Sequence, residues 1–371
     1  MIGILASNLC ESIKVEVKKK SFVHTKGGRE MGKKRTGLGH FICVFTGLLV
    51  LMLALSGAAM AYSEKEPLVL KVAIDNPPTD MKAVTIKHIG DIVEAKTKGR
   101  IKFEYFYGGS LIKKPQYIEA IARGIADIST GPVSFVTGKM PELSIFEVYG
   151  SYRLDKFLEM QEAVEPLFSD FLKEKGIHHV LMQYSGSTVF PHKTKFLNKP
   201  EDWKGQKMRL GGRWQSDLGN KWGASPVFLS PGELYIALQK GVIDGYMLIW
   251  DLIYGAKLFE VAPYHIDSEF SNNIEHVTMN LKKWESMTKE DQDIFNAAVK
   301  ETKPWTTRET LKYYDDLKKD LIGKGVKIHQ LTPEEKALYL KDAYALYPEV
   351  EKISGPTGKK FMDAMEKFRD K

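Results

Sequence analysis

Between Pro226 and Asp244 the sequence leaves little choice of local architecture. Pro226-Val227-Phe228-Leu229 is the apolar run of a short buried strand. Ser230-Pro231-Gly232-Glu233 follows, with Ser at the N-cap, Pro at the first helical position and Glu at the third. In such a capping box the hydroxyl and the carboxylate satisfy backbone N–H groups that the helix itself leaves orphaned. The helix stops at Gly241, and Val242-Ile243 reads as a second short strand, closed by Asp244. A strand, a capped helix and a strand in so short a span form a βαβ unit, which implies a parallel sheet. In sheets of this kind ligands bind at the carboxyl ends of the strands.

The same ending occurs earlier in the chain. Ala120-Ile-Ala-Arg-Gly-Ile-Ala-Asp127 matches Ala237-Leu-Gln-Lys-Gly-Val-Ile-Asp244 in character at seven of eight positions, Ala122 against Gln239 being the exception. Each has a basic residue in the last helical turn, complementing the helix dipole. Each then has a glycine able to take the left-handed conformation that ends a helix. Helix, glycine and strand recur in any α/β protein, but agreement running from Ala120 to Asp127 at all but one position favours two lobes built alike.

Elsewhere strands and helices alternate. Leu68–Ile74 reads as a buried strand, and Thr79–Thr97 as a helix stopped by Gly99. Ile101–Tyr107 alternates apolar and charged residues, as a half-buried strand does. The C-terminal third is helical. Glu290–Leu321 is a long amphipathic stretch with an expected kink at Pro304, and Thr332-Pro333-Glu334-Glu335 caps a further helix running to Tyr347. The fold class is α/β.

The first 61 residues are of another kind. They hold nine of the 54 Lys and Arg, three of the 47 Asp and Glu, and both cysteines, Cys10 and Cys43. Removing them leaves 45 basic and 44 acidic residues, so a chain of net charge +7 becomes one of +1 without a thiol. Lys33-Lys34-Arg35, the apolar run Phe41–Leu55 and the small-residue stretch ending Ala59-Met60-Ala61 form the three parts of a secretory signal. The run is about 15 residues, short of the roughly 20 that cross a bilayer. We expect initiation at Met31, cleavage after Ala61 and a mature protein that is exported and not embedded in the membrane. A chain without cysteine suits an oxidising compartment.

Several chemistries find no support. The histidines of residues 62–371 form no H-E-x-x-H, and His178 and His179, adjacent on a strand, would point to opposite faces. There is no phosphate-binding loop of the G-x-x-x-x-G-K-[ST] type and no G-x-S-x-G elbow. A net charge near zero gives no case for nucleic acid. No catalytic, cofactor or metal residue is assigned. Capture of a ligand fits better than its conversion.

Three segments carry a resemblance. Lys199-Pro-Glu-Asp-Trp-Lys-Gly-Gln-Lys-Met-Arg209, Gly223-Ala-Ser-Pro-Val227 and Ala237-Leu-Gln-Lys-Gly-Val-Ile-Asp-Gly245 resemble, in order and spacing, the DctP-type solute-binding proteins of TRAP (tripartite ATP-independent periplasmic) transporters. The resemblance runs from about Leu68 to about Gly325. It implies a two-lobed periplasmic-binding-protein clamshell with hinge strands and a long C-terminal helix spanning both lobes. The implied division is the upstream segment and signal at 1–61, lobe one at 62–186, lobe two at 187–270, and a return strand, spanning helix and C-terminal helices at 271–371. It implies a periplasmic receptor without cofactor that hands an organic acid to membrane permease subunits.

The resemblance also assigns a site. It places an arginine on the ligand carboxylate, here Arg209, and a planar guanidinium donates two parallel hydrogen bonds to such a group. Read alone, the same arginine would suit a surface ion pair. Sialic-acid-type and dicarboxylate-type members commonly have an asparagine where this chain has Leu248, and a second arginine where the nearest equivalent is Thr188. Trp214, Tyr246 and Trp250 lie close by in sequence and suit either a core or a pocket for an apolar or aromatic monocarboxylate. Family position adds Asn76, Thr130 and Tyr149 from the first lobe. A sensory receptor of the same fold, or an enzyme on this scaffold, are the alternative readings.

Overall fold

The computed structural model describes residues 66–369. The expected signal, the start at Met31 and both cysteines lie outside these residues.

The chain starts with β1 (Leu68–Ala73), α1 (Met81–Lys96) and β2 (Ile101–Phe106). The helix begins two residues later than expected because Asp80 takes the N-cap, accepting from the Lys82 backbone N–H at 2.8 Å. α2 (Tyr117–Ala122) leads into β3 (Ile128–Pro132), and α3 (Phe157–Lys173) into β4 (Ile177–His192). The second lobe is built from β5 (Lys207–Arg209), α4 (Arg213–Lys221), β6 (Ser225–Val227), α5 (Leu234–Gln239), β7 (Gly245–Tyr246), β8 (Leu248–Ile249) and α6 (Trp250–Gly255). The chain returns through β9 (Tyr264–Asn280), α7 (Leu281–Glu285), α8 (Lys289–Gly323), β10 (Lys327–Gln330), α9 (Pro333–Tyr344) and α10 (Tyr347–Met365).

The strands form one sheet in the order β2-β1-β3-β9-β4-β7-β5-β6, with β10 on β9 and β8 on β4. Each end is a parallel trio. β1 lies between β2 and β3, and β5 lies between β6 and β7. The long antiparallel pair β4 and β9 crosses between them. Its register shifts between Tyr184 and Val189, where the strands pass from one lobe to the other.

The repeated sequence ending has one structural meaning in both lobes. Gly124 and Gly241 take φ of 72° and 70°. Asp127 Oδ2 accepts from the backbone N–H of Lys71 at 2.8 Å, and its own N–H donates to Lys71 O at 2.8 Å. Asp244 repeats both bonds on Lys207, at 2.8 and 2.7 Å. Each aspartate thus ties the strand that follows its helix to the central strand of its trio.

Two strand assignments differ from expectation. Pro226–Leu229 is not a buried strand. β6 is an edge strand paired on one side only, and Phe228 just beyond it is 82% exposed. The strand expected at Val242-Ile243 lies at Gly245–Tyr246, because the Asp244 clamp comes first and pairing starts after it. The Ser230 capping box is present, although it opens a 3-10 turn at Pro231–Glu233 before α5 begins.

The 35 residues of α8 extend about 50 Å at 1.5 Å per residue. This helix is continuous through Pro304. It touches lobe one through Thr306 Oγ1 on Thr85 Oγ1 at 2.6 Å, and lobe two through Lys318 on Asp267 at 3.2 Å. A buried cluster containing Leu70, Ile86, Val93 and Phe295 fills lobe one, and another containing Phe190, Trp203, Met208 and Trp222 fills lobe two. A third runs across both, from Tyr117 and Phe168 to Tyr246 and Trp250. His178 stacks on Trp284 and His179 bonds His276 at 3.1 Å, on opposite faces of β4. Among the described residues no helix is long and apolar enough to cross a membrane.

Candidate ligand-binding site

A cavity of about 480 Å³ opens where the two lobes meet beside the strand crossing. That is within the usual range for small-molecule sites. Ser185 and Thr188 of β4 and Asn273 and Glu275 of β9 line its hinge side. Gly186, between the two β4 residues, has φ of 94°, and the Tyr314 ring lies 2.9 Å from where a Cβ would stand. Only glycine suits both conditions.

Arg209 ends β5 and reaches into this cavity with 8% of its surface exposed. Its Nε donates to Leu229 O at 3.0 Å and its Nη1 to Met247 O at 3.2 Å. Two carbonyls thus aim the guanidinium, and Nη2 has no acceptor among the described residues. Gly211 makes the space, since a Cβ there would lie 2.8 Å from Nη1. Burial pulls the Arg209 pKa below its ordinary value, yet a guanidinium remains protonated in proteins.

Of the other residues singled out from the sequence, Trp214, Leu248, Tyr149 and Thr188 line the cavity with Arg209. Tyr149 O–H points to Met247 Sδ at 3.2 Å, joining the lobes. Asn273 Nδ2 donates to Thr188 Oγ1 at 3.2 Å.

Four residues lie outside the lining. Tyr246 is fully buried in the shared core. Trp250 is buried too, its ring 5.5 Å from His265. Met247 divides β7 from β8, and Trp250 already belongs to α6, so sequence proximity to Leu248 does not put these rings on one face. Asn76 Nδ2 bonds Asp80 Oδ2 at 2.7 Å, supporting the start of α1. Thr130 is buried behind Glu275, to which its hydroxyl donates at 3.4 Å.

Several lining residues escaped the sequence reading. Lys114 pairs with Glu275 at 3.4 Å, and its backbone N–H donates to Asp75 at 3.0 Å. Glu147 accepts from Thr137 Oγ1 at 2.8 Å, and burial raises its pKa. Phe135 and Phe146 complete an apolar wall. Nothing in local sequence pattern marks them, because they come from loops and 3-10 turns that only the lobe packing gathers. Among the described residues no group of three or more His, Cys, Asp or Glu is arranged to hold a metal.

Residues 72–353 match the DctP family, described as bacterial extracellular solute-binding protein, family 7. A solute-binding protein of Albidiferax ferrireducens is 30% identical over 186 residues, 49% of this chain and 54% of that one. The chain thus spans about half the length of that relative. The C4-dicarboxylate-binding periplasmic protein DctP of Rhodobacter capsulatus is 24% identical over 84% of this chain and 94% of its own. Among solved structures, DctP7 of Bordetella pertussis, an extracytoplasmic solute receptor binding pyroglutamic acid, superposes with a TM-score of 0.71 at 19% identity, covering 80% of this chain and 99% of that one. The two-lobed sheet with its crossing strands and the match over most of the chain agree: this protein belongs to the DctP family of bacterial extracellular solute-binding proteins.

Proposed function

We propose that the protein captures a small organic acid in the interlobe cavity, holds its carboxylate on Arg209, and delivers it in the periplasm to the membrane permease subunits of a TRAP transporter. The observation that carries this reading is a buried guanidinium, aimed by two backbone carbonyls into a cavity, with no carboxylate partner of its own among the described residues. A bidentate carboxylate would supply the missing acceptor. Two relatives named for carboxylate ligands, a C4-dicarboxylate and pyroglutamic acid, are consistent with it.

The rings of Tyr149, Trp214 and Phe146 and the side chain of Leu248 favour a ligand with an apolar or aromatic body and a single carboxylate. Closure is a hinge motion about the β4–β9 crossing, with lobes divided near residues 186 and 270. The ligand favours the closed state by touching both lobes only there. A thermal-shift screen of keto acids, aromatic acids, dicarboxylates and sugar acids, followed by calorimetry of the best hit, tests the reading. Arg209→Met is expected to abolish that binding while the variant unfolds as cooperatively as the parent. Undiminished affinity would sink the assignment.

A further inference from the structure

Five charged residues line the cavity: Asp75, Lys114, Glu147, Arg209 and Glu275. Three are already matched. Lys114 pairs with Glu275 at 3.4 Å, and Asp75 takes the Lys114 backbone N–H and lies 4.0 Å from Lys113 Nζ. The other two have no counter-charge among the described residues. Arg209, on lobe two, meets only carbonyls. Glu147, on lobe one, meets only the Thr137 hydroxyl, through Oε2.

These two do not pair with each other, although their surroundings adjoin. A Cβ on Gly211 would stand 2.8 Å from Arg209 Nη1, and one on Gly212 would stand 3.1 Å from Glu147 Oε1. The Gly211-Gly212 step therefore carries the cation by one residue and the anion by the next. Consecutive α-carbons are about 3.8 Å apart, so a molecule of a few bonds spans the gap. Burial also disfavours the bare Glu147 carboxylate, as the upward direction of its pKa shows.

A plain monocarboxylate would satisfy Arg209 and enclose Glu147 without a partner, which is costly in a desolvated site. A dicarboxylate would bring a second anion towards it, a repulsive element against that class. We propose that the cleft is built for a zwitterion: a small acid whose carboxylate meets Arg209 and whose cationic nitrogen meets Glu147. Its apolar body lies against Tyr149, Trp214 and Leu248. This rests on the carboxylate reading of Arg209 and adds a second determinant, Glu147, on the opposite lobe. A ligand that joins both charges also bridges the lobes, so it stabilises the closed form by ion pairs on each side.

The test uses matched probes and calorimetry on the exported chain. L-Phenylalanine is compared with 3-phenylpropanoate, L-leucine with 4-methylpentanoate, and L-proline with cyclopentanecarboxylate. At least one amino acid is expected to bind about tenfold or more tightly than its deaminated counterpart, the range of a charge-assisted contact. Glu147→Gln should narrow that ratio by about tenfold. Thr137→Val, which removes the hydroxyl orienting Glu147, should narrow it in the same direction and provides a second reading if the first variant folds poorly.

The proposal is overturned if no amino acid binds, if the deaminated acids bind as tightly, or if Glu147→Gln weakens both members of each pair alike. Arg209→Met separates this from failure of the underlying assignment. Acids that still need Arg209 but ignore Glu147 would leave the carboxylate reading standing and remove only the zwitterion.

Discussion

Lys82, in the first turn of α1, donates to Asp251 Oδ2 in α6 of the opposite lobe at 3.0 Å, with only 2% of its surface exposed. The same carboxylate oxygen accepts from Tyr314 O–H at 2.8 Å, so both lobes and the spanning helix meet at one buried charge pair. Burial alone would lower the lysine pKa, but Asp251 and Asp80 more than offset it and the net direction is upward. Lys82→Met leaves those carboxylates without their cation. Urea unfolding should show a loss of about 3 kcal/mol, the usual cost of removing one member of a buried pair. Because the folded pKa is raised, the lysine contribution is complete below about pH 10.4 and fades only as pH rises through the higher folded value.

Gly186 provides a test of the strand crossing. Its φ of 94° and the Tyr314 ring at 2.9 Å leave no room for a side chain. Gly186→Ala is expected to destabilise the protein by about 1–3 kcal/mol, since it combines backbone strain with a clash. The unfolding midpoint in urea reports this. An unchanged midpoint would mean that the crossing relaxes more readily than the packing implies.

Gly211→Ala tests the aim of the guanidinium without touching it. The new methyl would approach Nη1 to 2.8 Å and push the guanidinium off the Met247 carbonyl that Nη1 meets and the Leu229 carbonyl that Nε meets. Carboxylate affinity should fall about tenfold or more, because a misaligned fork loses the bidentate geometry. Calorimetry with any acid found in the screen measures the change, and a circular dichroism melt checks the fold.

Acid should weaken the protein through buried His265 and half-buried His178. Burial lowers the pKa of His265 to about 4 and of His178 to about 3. Both are therefore neutral when folded, whereas an unfolded histidine protonates near pH 6.5. The unfolded chain binds more protons between those values, so stability is full above about pH 6.5 and declines as the pH falls towards the folded values. Melting temperatures from pH 7.5 to 4.5 should drop, and His265→Asn should flatten the decline over that window.

The repeated helix ending was legible because it is a local device. A glycine that stops a helix and an aspartate three residues on act within one turn and one strand pair, and the structure uses them identically on Lys71 and Lys207. The start of α9 at its Thr332 capping box was legible for the same reason. Phe228 misled the reading because an apolar run does not reveal whether its strand is central or at an edge. Tyr246 and Trp250 suited a core or a pocket equally in sequence, and they lie in the core because Met247 divides β7 from β8 and Trp250 begins α6.

Sequence by itself determined the α/β class, the two similar lobes and the arginine at the end of β5, since these follow from periodicity, caps and a linear motif. Tertiary structure alone decided what faces that arginine. Glu147 lies 62 positions before it in the chain, on a turn with no periodic pattern. The two share a cavity only because β4 and β9 fold one lobe onto the other. Unmatched charge is a property of that enclosure, and no local stretch of residues encodes it.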